Sequence, residues 1–170
     1  MPGRAVMRFE TTRFGAIETD PESVITFTQP IIGFQALRRF VLLPGPESGD
    51  GEDSRVRWLQ STESPEAAFL LMDPRSVYRG YTVELRPEEM AELGAGAMSD
   101  LDVYTLLVVP QDHTQVRTNL KAPIVINLRQ RLAKQAILDR QDYPIQFFLL
   151  QESRSSGEPR EAAPPEEAGR

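Results

Sequence analysis

VYTLLVVP, residues 103–110, is the most hydrophobic run of the chain, and how it is read decides the fold. Eight residues, four of them valine or threonine, ending at Pro110, fit a central β-strand and are too short for a buried helix. Upstream, VITFT (24–28), FVLLP (40–44), VRWLQS (56–61) and AFLLMD (67–72) share its length and its β-branched or aromatic content. Downstream, APIVINL (122–128) and KQAILD (134–139) continue the series. Residues 6–14 alternate imperfectly before Gly15, which predicts a short strand, a turn and a second short strand. YTVEL (81–85) alternates well enough to predict another strand that Pro87 stops.

Period-two alternation sends Trp58, Phe69 and Leu71 towards the core. Residues 34–40 make a single helical turn or a loop leading into the strand at 40. One helix is clear, in PEEMAELGA (87–95): Pro87 suits a first turn, Glu88 and Glu89 suit the positive end of the helix dipole, and Gly94 or Gly96 ends it. Short strands joined by turns, with one short helix, predict an all-β or β-rich, single compact barrel-like domain. Strand and crossover-helix units do not repeat, which argues against a doubly wound α/β fold.

The domain is expected over residues 1–150. GPESGDGEDS (45–54) reads as a solvated, acidic hairpin loop. Residues 151–170 hold three basic and five acidic side chains, three prolines and almost nothing that fills a core, the composition of a disordered C-terminal tail.

Composition then excludes chemistry. The 170 residues include no cysteine and one histidine, so zinc sites, iron–sulfur clusters and thiol nucleophiles lack their usual ligands. A net charge of -6 disfavours broad binding to nucleic acid or an anionic membrane. The arginines at 4, 8, 13, 38 and 39 are interrupted by Glu10, Glu18, Asp20 and Glu22, so direct nucleic-acid contact is not expected. No signal-peptide core or membrane-length apolar run is present, and the default is a cytoplasmic protein.

There is no phosphate loop, dinucleotide fingerprint, zinc-protease motif or nucleophile elbow. His113 reads as structural or surface-exposed, and the pairs Asp73 with Glu84 and Asp139 with Asp142 read as solvated carboxylates. No catalytic, cofactor or metal residue is assigned. Polar groups at strand edges remain: Gln60 and Ser61 in WLQS, Asn119 and Lys121 in RTNLKAP, and Asn127 in IVINL. Their amides and hydroxyls either brace loops or meet a partner's backbone. Phe34, behind Gly33, is either a buried loop anchor or an exposed interface anchor.

In order along the chain, TTRFG (11–15), VITFTQPIIGF (24–34), FVLLP (40–44), WLQSTESPEAAF (58–69), LVVPQD (107–112) and TNLKAPIVINLRQRLAKQAIL (118–138) closely resemble the flagellar assembly factor FliW family. The resemblance covers about residues 7–143. It implies a β-rich, non-enzymatic protein that binds the translational repressor CsrA and also flagellin; a monomer when free is the simplest form of such a switch. Exported flagellin would free the factor to capture CsrA, away from the RNA-binding surface, and so relieve repression of flagellin mRNA. By position, it points to Gly33, Phe34, Gln60, Ser61, Asn119, Lys121, Pro123 and Asn127 as protein-binding or loop-supporting residues. Three departures stand out: Pro30 where the family usually has glycine, Arg117-Thr118 in place of Thr-Ala, and Ala133 in place of glycine.

Overall fold

A computed structural model describes residues 5–45 and 56–150. The expected tail at 151–170, and all of the expected acidic loop except Gly45, lie outside the described residues. The chain opens with a hairpin, β1 (Met7–Thr11) and β2 (Gly15–Thr19), paired only with itself. Then come β3 (Ile25–Phe27), β4 (Arg39–Pro44), β5 (Val56–Ser61) and β6 (Ala68–Met72), an antiparallel meander. The helix α1 (Pro87–Glu92) follows, then β7 (Asp102–Val108), β8 (Arg117–Thr118), β9 (Ile124–Asn127), β10 (Leu132–Gln135) and β11 (Phe147–Phe148).

Two pairings close the sheet. β10 runs parallel to β3, with Ala133 opposite Phe27, and β9 runs antiparallel to the first half of β7, with Tyr104 opposite Ile124. Since β9 and β10 form a hairpin, the ring β3–β4–β5–β6–β7–β9–β10 is a closed seven-stranded barrel, and closure removes the exposed edges that an open sheet would leave. β8 and β11 extend the second half of β7.

Alternation fills the barrel. Phe27, Phe40, Leu59, Leu71, Tyr104, Ile124, Ile126 and Ala133 point inwards and form one buried cluster, and Phe27 meets Phe40 edge to face at 5.1 Å. The intervening residues point outwards and need their own cover. On β7, β9 and the chain beyond β10, Val103, Val125 and Ala136 are roofed by Tyr81, Val83, Leu93, Leu138 and Tyr143, a second buried cluster.

On β5, Trp58 also points outwards, between Leu43 and Leu70 of the flanking strands. There the turn after β1 covers it: Phe14 lies 5.7 Å away edge to face, and the Arg13 guanidinium stacks at 4.4 Å. The expectation that Trp58 faces the core with Phe69 and Leu71 is therefore corrected. Leu59 takes the inward position, and Trp58 belongs to the outer layer.

YTVEL is a second correction. Tyr81 and Val83 are buried alternately, as a strand would bury them, but residues 81–86 pair with no strand among the described residues. Their alternation records packing on the roof, and a Tyr81 hydroxyl bond to the Leu120 carbonyl (2.7 Å) fixes the segment in place. Residues 34–40 form turns and the start of β4 rather than a helix. No helix among the described residues is long and apolar enough to cross a membrane.

Candidate functional site

The loop joining β3 to β4, residues 28–38, contains Gly33 and Phe34, and two side-chain clamps hold it against its neighbours. On one side the Gln135 amide, at the end of β10, accepts from the Ile32 backbone N–H (3.0 Å) and donates to the Ala122 carbonyl (3.1 Å). On the other, a single Glu63 carboxylate oxygen accepts from the backbone N–H groups of Arg38 and Arg39 (2.8 and 3.2 Å). The clamps join this loop to residues 119–123 and to residues 62–67.

The clamped loops are themselves braced, and the braces are the polar residues singled out in the sequence. Ser61 Oγ accepts from the N–H groups of Glu63 and Ser64, both at 2.9 Å. Gln60 is fully buried, and its amide nitrogen donates to the Ser61 carbonyl at 2.9 Å. Asn119 Oδ1 accepts from the N–H groups of Lys121 and Ala122 (2.9 and 3.2 Å), a side-chain turn that shapes the bulge between β8 and β9. Pro123 is buried, and its carbonyl accepts from the Ala136 N–H at 2.9 Å. Each satisfies a backbone group that a folded loop would otherwise leave unpaired, worth about 1–3 kcal/mol where the group is buried.

Asn127 stands apart. It lies at the other end of β9, where Nδ2 donates to the Leu93 carbonyl at the end of α1 (2.8 Å) and Oδ1 accepts from the Gln130 N–H (3.3 Å). Beside it, Gly94 is held at φ +66°, and an added Cβ would meet the Gln130 side chain at 3.2 Å. The structure thus gathers seven of the eight candidates around the loop linking β3 and β4, and places Asn127 at the seam between helix and hairpin.

Among exposed polar residues that include Gln35, Arg38 and Glu63, the clamped loops also show solvent large apolar side chains. Ile32 is 63% exposed and Phe34 42%, with Ile137, two residues past the Gln135 clamp, at 57%. Gly33 sits between the first two at φ +94°, a conformation that L side chains rarely adopt. Phe34 is anchored on one side only: its ring meets Phe69 edge to face at 4.9 Å, at the rim of the barrel interior. Lys121 is half-buried, and its backbone supports Leu138. This is a rigid platform displaying large apolar side chains, the anatomy of a protein-docking surface.

Sequence reasoning missed one polar centre altogether. Lys134 on β10 points outwards beneath α1 and is buried, its ammonium 3.2 Å from Glu89 and 3.1 Å from Glu92. Glu92 also accepts from the Thr28 hydroxyl (2.6 Å) and the Gln29 amide (3.1 Å), and Glu89 closes back on the Arg86 N–H (3.0 Å). Burial works to raise both carboxyls. Hydrogen bonds to Glu89 from Arg86 and to Glu92 from Thr28, together with Lys134, outweigh it and hold both below the ordinary range. A lysine between Ala133 and Gln135 in an apolar strand was the available signal.

Several other titratable groups have structural employment. Asp112 turns its carboxylate to the Thr114 N–H and hydroxyl, leaving His113 exposed. Asp142 is bound by Arg140 at 2.8 Å, and Asp73 caps the short turn at Pro74–Ser76. Arg8 pairs with Glu18 at 3.1 Å, and Arg38 donates to the Phe27 carbonyl. Among the described residues no group of three or more His, Asp or Glu side chains is placed to hold a metal ion.

Comparison with known proteins agrees with this architecture. A family model described as FliW protein matches residues 8–149. The chain is similar to the flagellar assembly factor FliW of Ruminiclostridium cellulolyticum, 35% identical over 146 residues that cover 86% of this chain and 96% of the relative. It is likewise similar to the flagellar assembly factor FliW of Bdellovibrio bacteriovorus, 36% identical over 149 residues, 86% of this chain and 82% of that one. A crystal structure of the flagellar assembly factor FliW superposes with a TM-score of 0.74 at 31% identity, covering 84% of this chain and 96% of the other.

Proposed function

Because the chain belongs to the FliW family of flagellar assembly factors, we propose that it works as a cytoplasmic binding protein, not as an enzyme, that captures the translational regulator CsrA and exchanges it for flagellin. The observation that supports this reading is the platform at Ile32 and Phe34: large apolar side chains held at the surface by a loop that Gln135 and Glu63 clamp to its neighbours. Such a surface gains by covering apolar area, and it loses little entropy on binding because its backbone is already fixed.

Charge supports the first partner. A protein that binds RNA presents basic groups, and a chain with net charge -6 attracts it electrostatically over distances of about 10 Å at moderate salt. No oligomer is required for this cycle, and a monomer is its simplest form. Exchange requires that occupancy by flagellin lower the affinity for CsrA, and by linkage the reverse to the same degree.

Calorimetric titration of the full chain with CsrA, alone and after saturation with flagellin, tests this. The expected result is saturable CsrA binding that prior flagellin weakens. A folded sample that binds flagellin but not CsrA overturns the regulatory part and leaves a flagellin-specific, chaperone-like module. The departures at Pro30, Arg117-Thr118 and Ala133 do not by themselves favour that alternative. Ala133 fills the barrel interior, and Thr118 donates to the Leu106 carbonyl at 2.6 Å, so both are absorbed into the fold.

A further inference from the structure

The charged centre under α1 and the platform share one side chain. Glu92, the last residue of α1, divides its two carboxylate oxygens between them. Oε1 accepts from the Lys134 ammonium at 3.1 Å, and Oε2 accepts from both the Thr28 hydroxyl (2.6 Å) and the Gln29 amide (3.1 Å). Thr28 and Gln29 open the loop that displays Ile32 and Phe34, so the helix grips that loop at its start. Hydrogen bonds to a charged group are roughly twice as strong as neutral ones. Lys134 is buried and also held by Glu89 at 3.2 Å, which gives Glu92 a fixed mount.

β10 holds the same stretch of loop. Its pairing with β3 continues past Phe27, where the Thr28 N–H donates to the Ala133 carbonyl at 2.9 Å, and further along the strand Gln135 accepts from the Ile32 N–H at 3.0 Å. Pro30 and Ile31 stand between these two grips. Proline fixes its own φ at about −65° and confines the residue before it to extended conformations. Ile31 is sunk in the barrel core, and its carbonyl accepts from the Phe34 N–H at 2.8 Å. So stiff a segment passes the setting of Thr28 and Gln29 on to Ile32 and Phe34.

We propose that Glu92 is a positioning residue for the platform: through Thr28 and Gln29 it sets how Ile32 and Phe34 are presented to a protein partner. This role rests on the platform reading above. The cluster as a whole fastens the helix, and Glu92 alone extends that hold to the loop.

Thr28→Val and Gln29→Ala each remove one bond to Oε2 and leave the Lys134 pair in place, while Thr28→Ser keeps the hydroxyl. In the full chain, amide hydrogen exchange at Ile32 and Phe34 should quicken about threefold or more in Thr28→Val, with β6 and β7 at parent rates. Affinity for flagellin or CsrA, compared at matched folded fraction, should fall by a similar factor of about three, and Thr28→Ser should match the parent in both readouts. In a Pro30→Gly background Thr28→Val should add little, because the stiff link is already gone. Gln29 is exposed, so Gln29→Ala carries the test should Thr28→Val disturb the fold.

Phe34→Ala, measured alongside, separates this role from the platform itself. Weaker binding in Phe34→Ala with parent affinity in Thr28→Val and Gln29→Ala overturns the positioning role and leaves the platform standing. Parent affinity in Phe34→Ala removes the platform and, with it, the role of Glu92 in binding. Faster exchange spread evenly over the barrel, or none at Ile32 and Phe34, overturns the positioning role directly.

Discussion

The roof over β10 and the platform beside it use opposite materials for opposite ends. Under α1 a charged residue does the structural work: Lys134 is buried, and its two carboxylates fasten the helix to the barrel. At the platform Gln60, Ser61 and Asn119 work on backbone groups, and Ile32, Phe34 and Ile137 are large apolar residues left facing solvent. Polarity is therefore a poor guide to function in this molecule. The charged cluster fastens the helix to the barrel, and the loop with exposed apolar side chains is the part we propose for a partner.

Breaking the roof should have the largest effect on stability. Lys134→Met leaves Glu89 and Glu92 facing each other without their cation, and a buried pair broken in this way costs about 3–5 kcal/mol. Urea unfolding should read a loss near the lower figure, because Arg86 still meets Glu89. Adding Glu89→Gln and Glu92→Gln to Lys134→Met should recover part of it.

The same cluster sets an acid limit. Both carboxyls are depressed in the folded state, so their contribution is complete above the unfolded carboxylate value of about 4.3 and is lost as pH falls through the lower folded values. Thermal melts from pH 7 down to pH 3 should show this fall, and Lys134→Met should flatten it in part, because the hydrogen bonds from Arg86 and Thr28 remain.

Asn127→Ala comes next, at about 1–3 kcal/mol, because the Leu93 carbonyl and the Gln130 N–H lose their partner at a buried seam. At the platform the order of effects reverses. Phe34→Ala removes a ring with one aromatic neighbour and should cost under about 1 kcal/mol of stability, yet weaken protein binding about tenfold or more if Phe34 is an interface anchor. Melting temperature and calorimetric affinity, measured on the same samples, separate the two effects.

Six of the seven barrel strands were legible as apolar runs, since each buries one face, but the strand expected at KQAILD (134–139) is corrected: β10 is Leu132–Gln135, and residues 136–139 are not strand. Their closure was not legible. The parallel pairing of β10 with β3 joins Ala133 to Phe27, residues whose neighbourhoods carry no record of each other. YTVEL failed for a related reason: alternation reports which side is buried, and an extended segment lying on a roof buries one side without a hydrogen-bonded neighbour. Trp58 was misplaced because period-two alternation says which residues of a strand share a face but not which face points inwards, and this protein has an outer layer beneath its first hairpin.

The candidate site was half visible. Gln60, Ser61, Asn119 and Asn127 stood out as amides and hydroxyls at strand edges, and bracing loops was one of the two readings open to them. Gln135 and Glu63, which clamp the loops together, are ordinary surface residue types in sequence and gain meaning only through partners far along the chain. Lys134 was read only as the first residue of the strand expected at 134–139 and Glu89 only for its place at the positive end of the helix dipole, and Glu92 drew no reading, so their meeting was missed.

The most direct test of the platform is the affinity of CsrA and of flagellin for Ile32→Ser/Phe34→Ala, compared with the parent chain by calorimetry at matched folded fraction. The account predicts an unchanged fold and at least tenfold weaker binding of one or both partners, about 1.4 kcal/mol or more. Parent-like affinity for both would contradict it and move the docking surface elsewhere on the barrel.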